Sequence, residues 1–131
     1  MRGKSEVGKI GEQIACEYLR DKGWRILGRN LLEFRGEIDV LAYDRQKTLV
    51  FVEVKTLQGA GGDFKPEDNF NFAKKRKSIR AAQLFVGYHP DLVNDDRGWR
   101  IDLLAVRILN PLLTDWKKDC EINHYENVIS S

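Results

Sequence analysis

Asp39 and the triplet Glu53-Val54-Lys55 are the residues of this sequence best placed to do chemistry together. Both lie in otherwise apolar runs, one from Glu37 to Tyr43 and one from Thr48 to Thr56. Side chains alternate faces along a strand, so Glu53 and Lys55 share a face, as do Glu37, Asp39, Leu41 and Tyr43. A three-residue turn, Arg45 to Lys47, would join the runs as an antiparallel hairpin and pair Asp44 with Thr48. Ile38, Val40 and Ala42 then face Val54, Val52 and Val50, while Leu41 meets Phe51 and Tyr43 meets Leu49. Asp39 comes opposite Glu53, and Glu37 opposite Lys55. A two-residue turn would set Asp39 against Val52 and mix both faces, so the odd register is expected.

Two carboxylates side by side on an apolar hairpin repel each other. A divalent cation with oxygen ligands relieves that repulsion, and Mg²⁺ is commonly held by one or two carboxylates while keeping waters and phosphate oxygens. Lys55, two residues beyond Glu53, is placed to orient a water or to steady developing negative charge. Asp39, Glu53 and Lys55 thus read as a compact site for metal-assisted hydrolysis of a phosphodiester. The competing reading is an ion-paired, solvated sheet end, with Glu37 against Lys55 and Asp39 near an arginine. The residues by themselves leave both readings open.

The elements that must position these residues follow from periodicity. Val7, Ile10, Gly11, Ile14, Tyr18 and Leu19 recur at helical spacing, predicting a helix from Ser5, a suitable N-cap, to Lys22, with Gly23 just past its end. Trp24 to Leu27 reads as a strand ending at Gly28 or Asn30. Glu37–Tyr43 and Thr48–Thr56 are the hairpin. A second helix is expected over Phe72–Tyr88, a strand over Trp99–Ile108, and an edge strand in the tail from Cys120 to Ile129. The order αβββαβ implies an α/β domain built on a mixed central sheet flanked by helices.

The chain of 131 residues suits a single domain, 1–131. Its 22 Lys+Arg against 20 Asp+Glu, a formal charge of +2, excludes a disordered polyelectrolyte and a strongly basic coat protein. Any claim on nucleic acid must come from where the charges sit. The two cysteines, Cys16 and Cys120, are too few for a disulfide framework or a four-cysteine zinc site, and they fit a reducing, cytoplasmic setting. The N-terminal run holds no apolar stretch, so no secretory signal is expected, and no run approaches a membrane span.

The order Asp39, then Glu53-Val54-Lys55, resembles the PD-(D/E)xK nuclease core of restriction-endonuclease-like and Holliday-junction-resolvase-like enzymes. A wider likeness runs through Gly8-Lys9-Ile10-Gly11-Glu12, Gly36-Glu37-Ile38-Asp39-Val40 and Val50-Phe51-Val52-Glu53-Val54-Lys55-Thr56. It continues through Ile79-Arg80-Ala81-Ala82-Gln83, Arg100-Ile101-Asp102-Leu103, His124 and Asn127. In these segments the chain is similar to the YraN-like family, uncharacterised bacterial proteins described as predicted endonucleases. The resemblance implies a restriction-endonuclease-like core and a metal-dependent, resolvase-like endonuclease acting on DNA, branched or damaged forms included. It implies that Asp39 and Glu53 hold Mg²⁺ or Mn²⁺, with the backbone carbonyl of Val54 as a further ligand. Lys55 would be the catalytic lysine, and Glu12 an additional acidic residue completing the site directly or through water. Two departures stand out. Ile38 occupies the position before the motif aspartate where proline is common, and Leu57 stands where arginine is frequent. The missing arginine at position 57 and the modest net charge motivate the alternative, a non-catalytic nucleic-acid-binding module that retains the fold. A homodimer is the expected assembly, because resolvase-like enzymes cut symmetric substrates as pairs.

The segment from Lys74 to Arg80 holds five basic residues and no acid. On a helix Lys74, Lys77 and Arg80 share a flank where they could neutralise phosphates. Lys75 and Arg76 read as a solvated face. Gly59 to Gly62 could close over a substrate or form a plain loop. Trp24, Trp99 and Trp116 read as packing anchors, Asp102 as a buried partner of an arginine, and His124 as no metal ligand.

Overall fold

The structure, a computed structural model, describes residues 6–33, 36–59 and 72–129. Within these, helix α1 (Glu6–Asp21) precedes strands β1 (Arg25–Glu33), β2 (Gly36–Tyr43) and β3 (Leu49–Gln58). Helix α2 (Phe72–Tyr88), a 3₁₀ turn (Pro90–Leu92), β4 (Trp99–Ile108), a short helix α3 (Trp116–Asp119) and β5 (Cys120–Tyr125) follow. The strands form one sheet in the order β1-β2-β3-β4-β5. Every neighbouring pair is antiparallel except β3 and β4, which are parallel. The parallel pair requires a crossover, and α2 lies within it. The fold is the expected mixed α/β sheet flanked by helices, with a restriction-endonuclease-like core.

Alternation along the strands sends two apolar sets to opposite faces. Val40, Ala42, Val50, Val52, Leu104 and Val106 pack under α1 with Ile14, Ala15, Cys16 and Leu19. Leu41, Leu49, Phe51, Ile101 and Leu103 pack under α2 with Ala82 and Phe85. Trp24 is buried in the first layer, Trp116 packs against it, and Trp99 packs in the second. The close seat of α1 depends on small residues. A Cβ at Gly11 would stand 1.8 Å from Thr56 Oγ1 on β3, so only glycine permits this approach. The buried stripe accordingly runs through Gly11, Ala15, Cys16 and Leu19, and Ile10, expected on that face, is exposed.

Helix α1 ends as its composition demands. Gly23 takes φ +86°, Trp24 N–H donates to Leu19 O and Gly23 N–H to Arg20 O, the paired bonds of a Schellman cap. Ser5, the expected N-cap, lies outside the described residues. The first strand differs from expectation. It does not stop at Gly28 or Asn30 but continues to Glu33, because a register shift between Ile26 and Gly28 and a left-handed Asn30 (φ 51°) absorb the irregularity without ending the ladder. The hairpin turn has the expected length. Asp44 N–H donates to Thr48 O, Asp44 Oδ1 accepts from Gln46 and Thr48 amides, and Lys47 takes φ 66°. The tail strand stops at Tyr125 rather than Ile129, since the chain then turns to bond Val128 N–H to Ile101 O.

That final turn is organised by a buried carboxylate. Asp102 has no exposed surface and accepts from Arg100 Nε (2.9 Å), His124 Nε2 (2.8 Å) and the Asn127 amide (2.9 Å). Arg100 also reaches Asp44 Oδ2 at 2.9 Å, tying the hairpin turn to β4. Burial pushes the Asp102 carboxyl up, but the bonds from His124, Arg100 and Asn127 outweigh it and hold the group below the usual carboxylate range. The arginine partnership expected for Asp102 is present, and His124 serves this lock. Asp102→Ala should destabilise the fold by about 3–5 kcal/mol near neutral pH, because it leaves Arg100 and His124 without their buried acceptor. With a lowered folded value, the Asp102 contribution is complete above the ordinary carboxylate pKa and fades as pH falls through the folded one. Urea titrations of wild type and variant should therefore show a stability gap that narrows as the solution is acidified.

Candidate metal centre

The β2–β3 ladder begins in the expected register, with Tyr43 opposite Leu49, Ala42 opposite Val50, Leu41 opposite Phe51 and Val40 opposite Val52. It ends there. Hydrogen-bonded pairs alternate along an antiparallel ladder, so after the pairs of residues 42 and 50 and of 40 and 52 the next donor would be the Val54 amide, bonding to Ile38. Instead Val54 N–H donates to Asp39 Oδ2 at 2.9 Å. The expected facing of Asp39 with Glu53 and of Glu37 with Lys55 is thus corrected, because the strands part at the point where a side chain takes a backbone donor. The face assignment of Ile38 is corrected with it. Ile38 packs in the α2 layer with Leu41 and Phe51, away from Val40 and Ala42.

Where the strands part, carboxylates converge from both sides of the sheet. Glu12 comes from α1 and is 2% exposed, and Asp39 from β2 is 5% exposed. One oxygen from each of these and one from exposed Glu37 lie within 4.8 Å of one another. Glu37, Asp39 and Glu53 also line a cleft of about 20 Å³ with Phe51, Ser78, Ala81 and Ile101, so β3, β4 and α2 form its other walls. That space admits one water or one ion.

Of the residues singled out from sequence, the fold brings Glu12 and Asp39 together. Glu53 lines the cleft with Asp39 but lies outside the three-oxygen group. Val54 meets Asp39 through its amide N–H. Lys55 is half-buried on the same strand, two residues past Glu53, and has no hydrogen bond or ion pair to another described residue. Glu37 is the member that sequence reasoning missed. Its signal was present, since it sits two residues before Asp39 on one strand face, but the assumed ladder matched it to Lys55. Lys77 and Arg80 are exposed on α2, the helix that supplies Ser78 and Ala81 to the cleft. The side chain of Lys74 and residues 60–62 of the glycine loop lie outside the described residues. Leu57 is half-buried and sits beside Arg107 of β4, whose Nη1 donates to Gly59 O at 3.1 Å.

Among the described residues, no helix is long and apolar enough to cross a membrane. Fold and acidic cleft together agree with the family likeness of the motifs, and sequence comparison establishes it. The family described as "Uncharacterised protein family UPF0102" matches residues 11–106, and the chain belongs to that family. It is 36% identical over 122 residues to a UPF0102 protein of Alkaliphilus oremlandii, covering 93% of this chain and 96% of the relative. It is 40% identical over 103 residues to a UPF0102 protein of Persephonella marina, covering 79% and 83% of the two chains.

The contact of Gly11 with Thr56 fixes how near Glu12 can approach the sheet. Gly11→Ala should cost about 1–3 kcal/mol of stability, because the overlap forces α1 off β3. Thr56→Ala removes the two nearest clashing atoms, and in the double variant it should recover part of that loss. Denaturant midpoints of the single and double variants check this.

Proposed function

We propose that this chain is a divalent-metal-dependent deoxyribonuclease of resolvase-like type, hydrolysing phosphodiester bonds in DNA. The observation that carries the reading is the convergence of Glu12, Glu37 and Asp39 at the gap between β2 and β3, with Glu53 lining a cleft beside Glu37 and Asp39. Carboxylates this close repel one another, and two of the three are buried, so the arrangement favours a cation in their midst. The donors are all hard oxygens, which suits Mg²⁺ or Mn²⁺ rather than zinc or copper. In this reading Asp39, Glu53 and the Val54 carbonyl hold the ion, and Glu12 and Glu37 supply further oxygens directly or through water. When bound, the ion supplies Lewis-acid stabilisation of charge on a phosphoryl oxygen.

The remaining roles belong to the chain itself. Asp39 holds the strands apart through the Val54 amide and so keeps the cleft open. Lys55 presents a compact positive charge on the Glu53 face and steadies negative charge growing on the phosphate. Lys77 and Arg80, with Lys74 by its spacing, neutralise flanking phosphates, so affinity should fall with added salt. The single domain, residues 1–131, acts in the cytoplasm on DNA, including branched or damaged forms, as a homodimer.

The test is cleavage of branched, flapped and linear DNA with and without Mg²⁺. Cutting should require the ion, and Asp39→Ala and Lys55→Ala should each lower the rate on the order of a hundredfold or more. Activity surviving both substitutions would overturn the proposed site. Salt-dependent binding without metal-dependent cleavage would leave the non-catalytic DNA-binding module.

A further inference from the structure

A second constellation of reactive groups involves none of the cleft residues. Lys22 follows the last residue of α1 and is exposed. Its Nζ lies 3.2 Å from His124 Nδ1, and His124 Nε2 lies 2.8 Å from Asp102 Oδ2. An ammonium group only donates, so Nδ1 is the acceptor and Nε2 carries the proton given to Asp102. The order is amine, imidazole with its lone pair toward the amine, and buried carboxylate behind. This is the ordering of a nucleophile, its base and the group that orients the base.

The surroundings support reactivity as well as structure. Lys22 Nζ stands 5.3 Å from the Tyr18 ring centroid and 5.6 Å from that of Trp24. The two rings hold the amine beside His124. It becomes nucleophilic only if a neighbour takes its proton, and His124 is that neighbour. Lys22 opens onto a groove of about 710 Å³, whose lining holds the cations Arg45 and Arg100 and the acids Asp21, Asp44 and Glu126 beside Trp24. Such a volume accommodates a small organic phosphate. Arg100 is already engaged by Asp44 and Asp102, so exposed Arg45 is the cation left to meet an anionic leaving group.

We propose that Lys22 is an acylation site that reacts with small acyl phosphates, with His124 as its base and Asp102 as the group that orients His124. One ammonium proton passes to His124 Nδ1, and the amine lone pair attacks the acyl carbon. The carbon–oxygen bond to phosphate breaks and its electron pair leaves with the phosphate, which takes the second proton from nitrogen. His124 returns the first proton to solvent. The product amide keeps one N–H for His124 Nδ1 but loses the positive charge held over Tyr18 and Trp24. The proposal is independent of any nuclease activity.

The full chain is incubated with acetyl phosphate, and acetylation of each lysine is followed by mass spectrometry. Lys22 should react on the order of tenfold or more faster than exposed Lys47 and Lys118, the low end of what a positioned base supplies. The advantage should vanish in urea, where the fold is lost, and in His124→Asn, which lacks the base. Equal rates at Lys22 and the reference lysines in the native wild type would overturn the proposal. So would an undiminished Lys22 advantage in folded His124→Asn. Should that variant not fold, the native-against-urea comparison of the wild type decides alone.

Discussion

The bond from the Val54 amide to the Asp39 carboxylate determines where this sheet opens. Up to Val40 and Val52 the hairpin is an ordinary ladder between two apolar layers. One step further, a side chain replaces a backbone acceptor and the strands part. Beside that opening Glu12, on the α1 side of the sheet, brings a carboxylate oxygen within 4.8 Å of one each from Glu37 and Asp39. The ladder is interrupted by a member of that acidic group, Asp39.

The second requirement is the depth of α1. Glu12 follows Gly11, and Gly11 lies against Thr56 with no room for a methyl group. Any larger residue would lift the first turns of the helix and draw Glu12 back from the gap. Burying a carboxylate at 2% exposure is unfavourable unless something compensates its charge. Close helix packing at Gly11 thus carries the next residue, Glu12, into the three-oxygen group with Glu37 and Asp39.

Much of this was legible in the sequence, for identifiable reasons. The bounds of α2 and β4, the three-residue turn and the hairpin register up to Val40 follow from periodicity and turn chemistry, which are local properties. The extension of β1 to Glu33 was hidden, because Gly28 and Asn30 normally punctuate a strand and a bulge tolerates them. The membership of Glu37 was hidden for a non-local reason. Strict alternation was carried past Val40, and nothing in a strand pattern reveals that an aspartate side chain will displace the next ladder acceptor. The pairing of Asp102 with an arginine was foreseeable from its apolar strand. Its hold on His124 and Asn127 requires β5 to lie beside β4, and that is a matter of topology.

The two polar centres differ in how their charges are balanced, and that difference separates their chemistry. Asp102 has cationic and neutral donors on every side, from Arg100, His124 and the Asn127 amide, so its charge is met within the fold. At the other centre Glu12, Glu37 and Asp39 converge and Glu53 lines the cleft beside the last two, while the lysine of its strand, Lys55, makes no ion pair with another described residue. A carboxylate that already has its partners stabilises and orients, as Asp102 does for His124. Carboxylates gathered as closely as Glu12, Glu37 and Asp39, with oxygens within 4.8 Å of one another, favour a cation among them. A net charge of +2 is then compatible with a phosphate-bearing substrate. A bound divalent ion would offset much of the acidic group, leaving the exposed cations of α2 and Lys55 to set the local field.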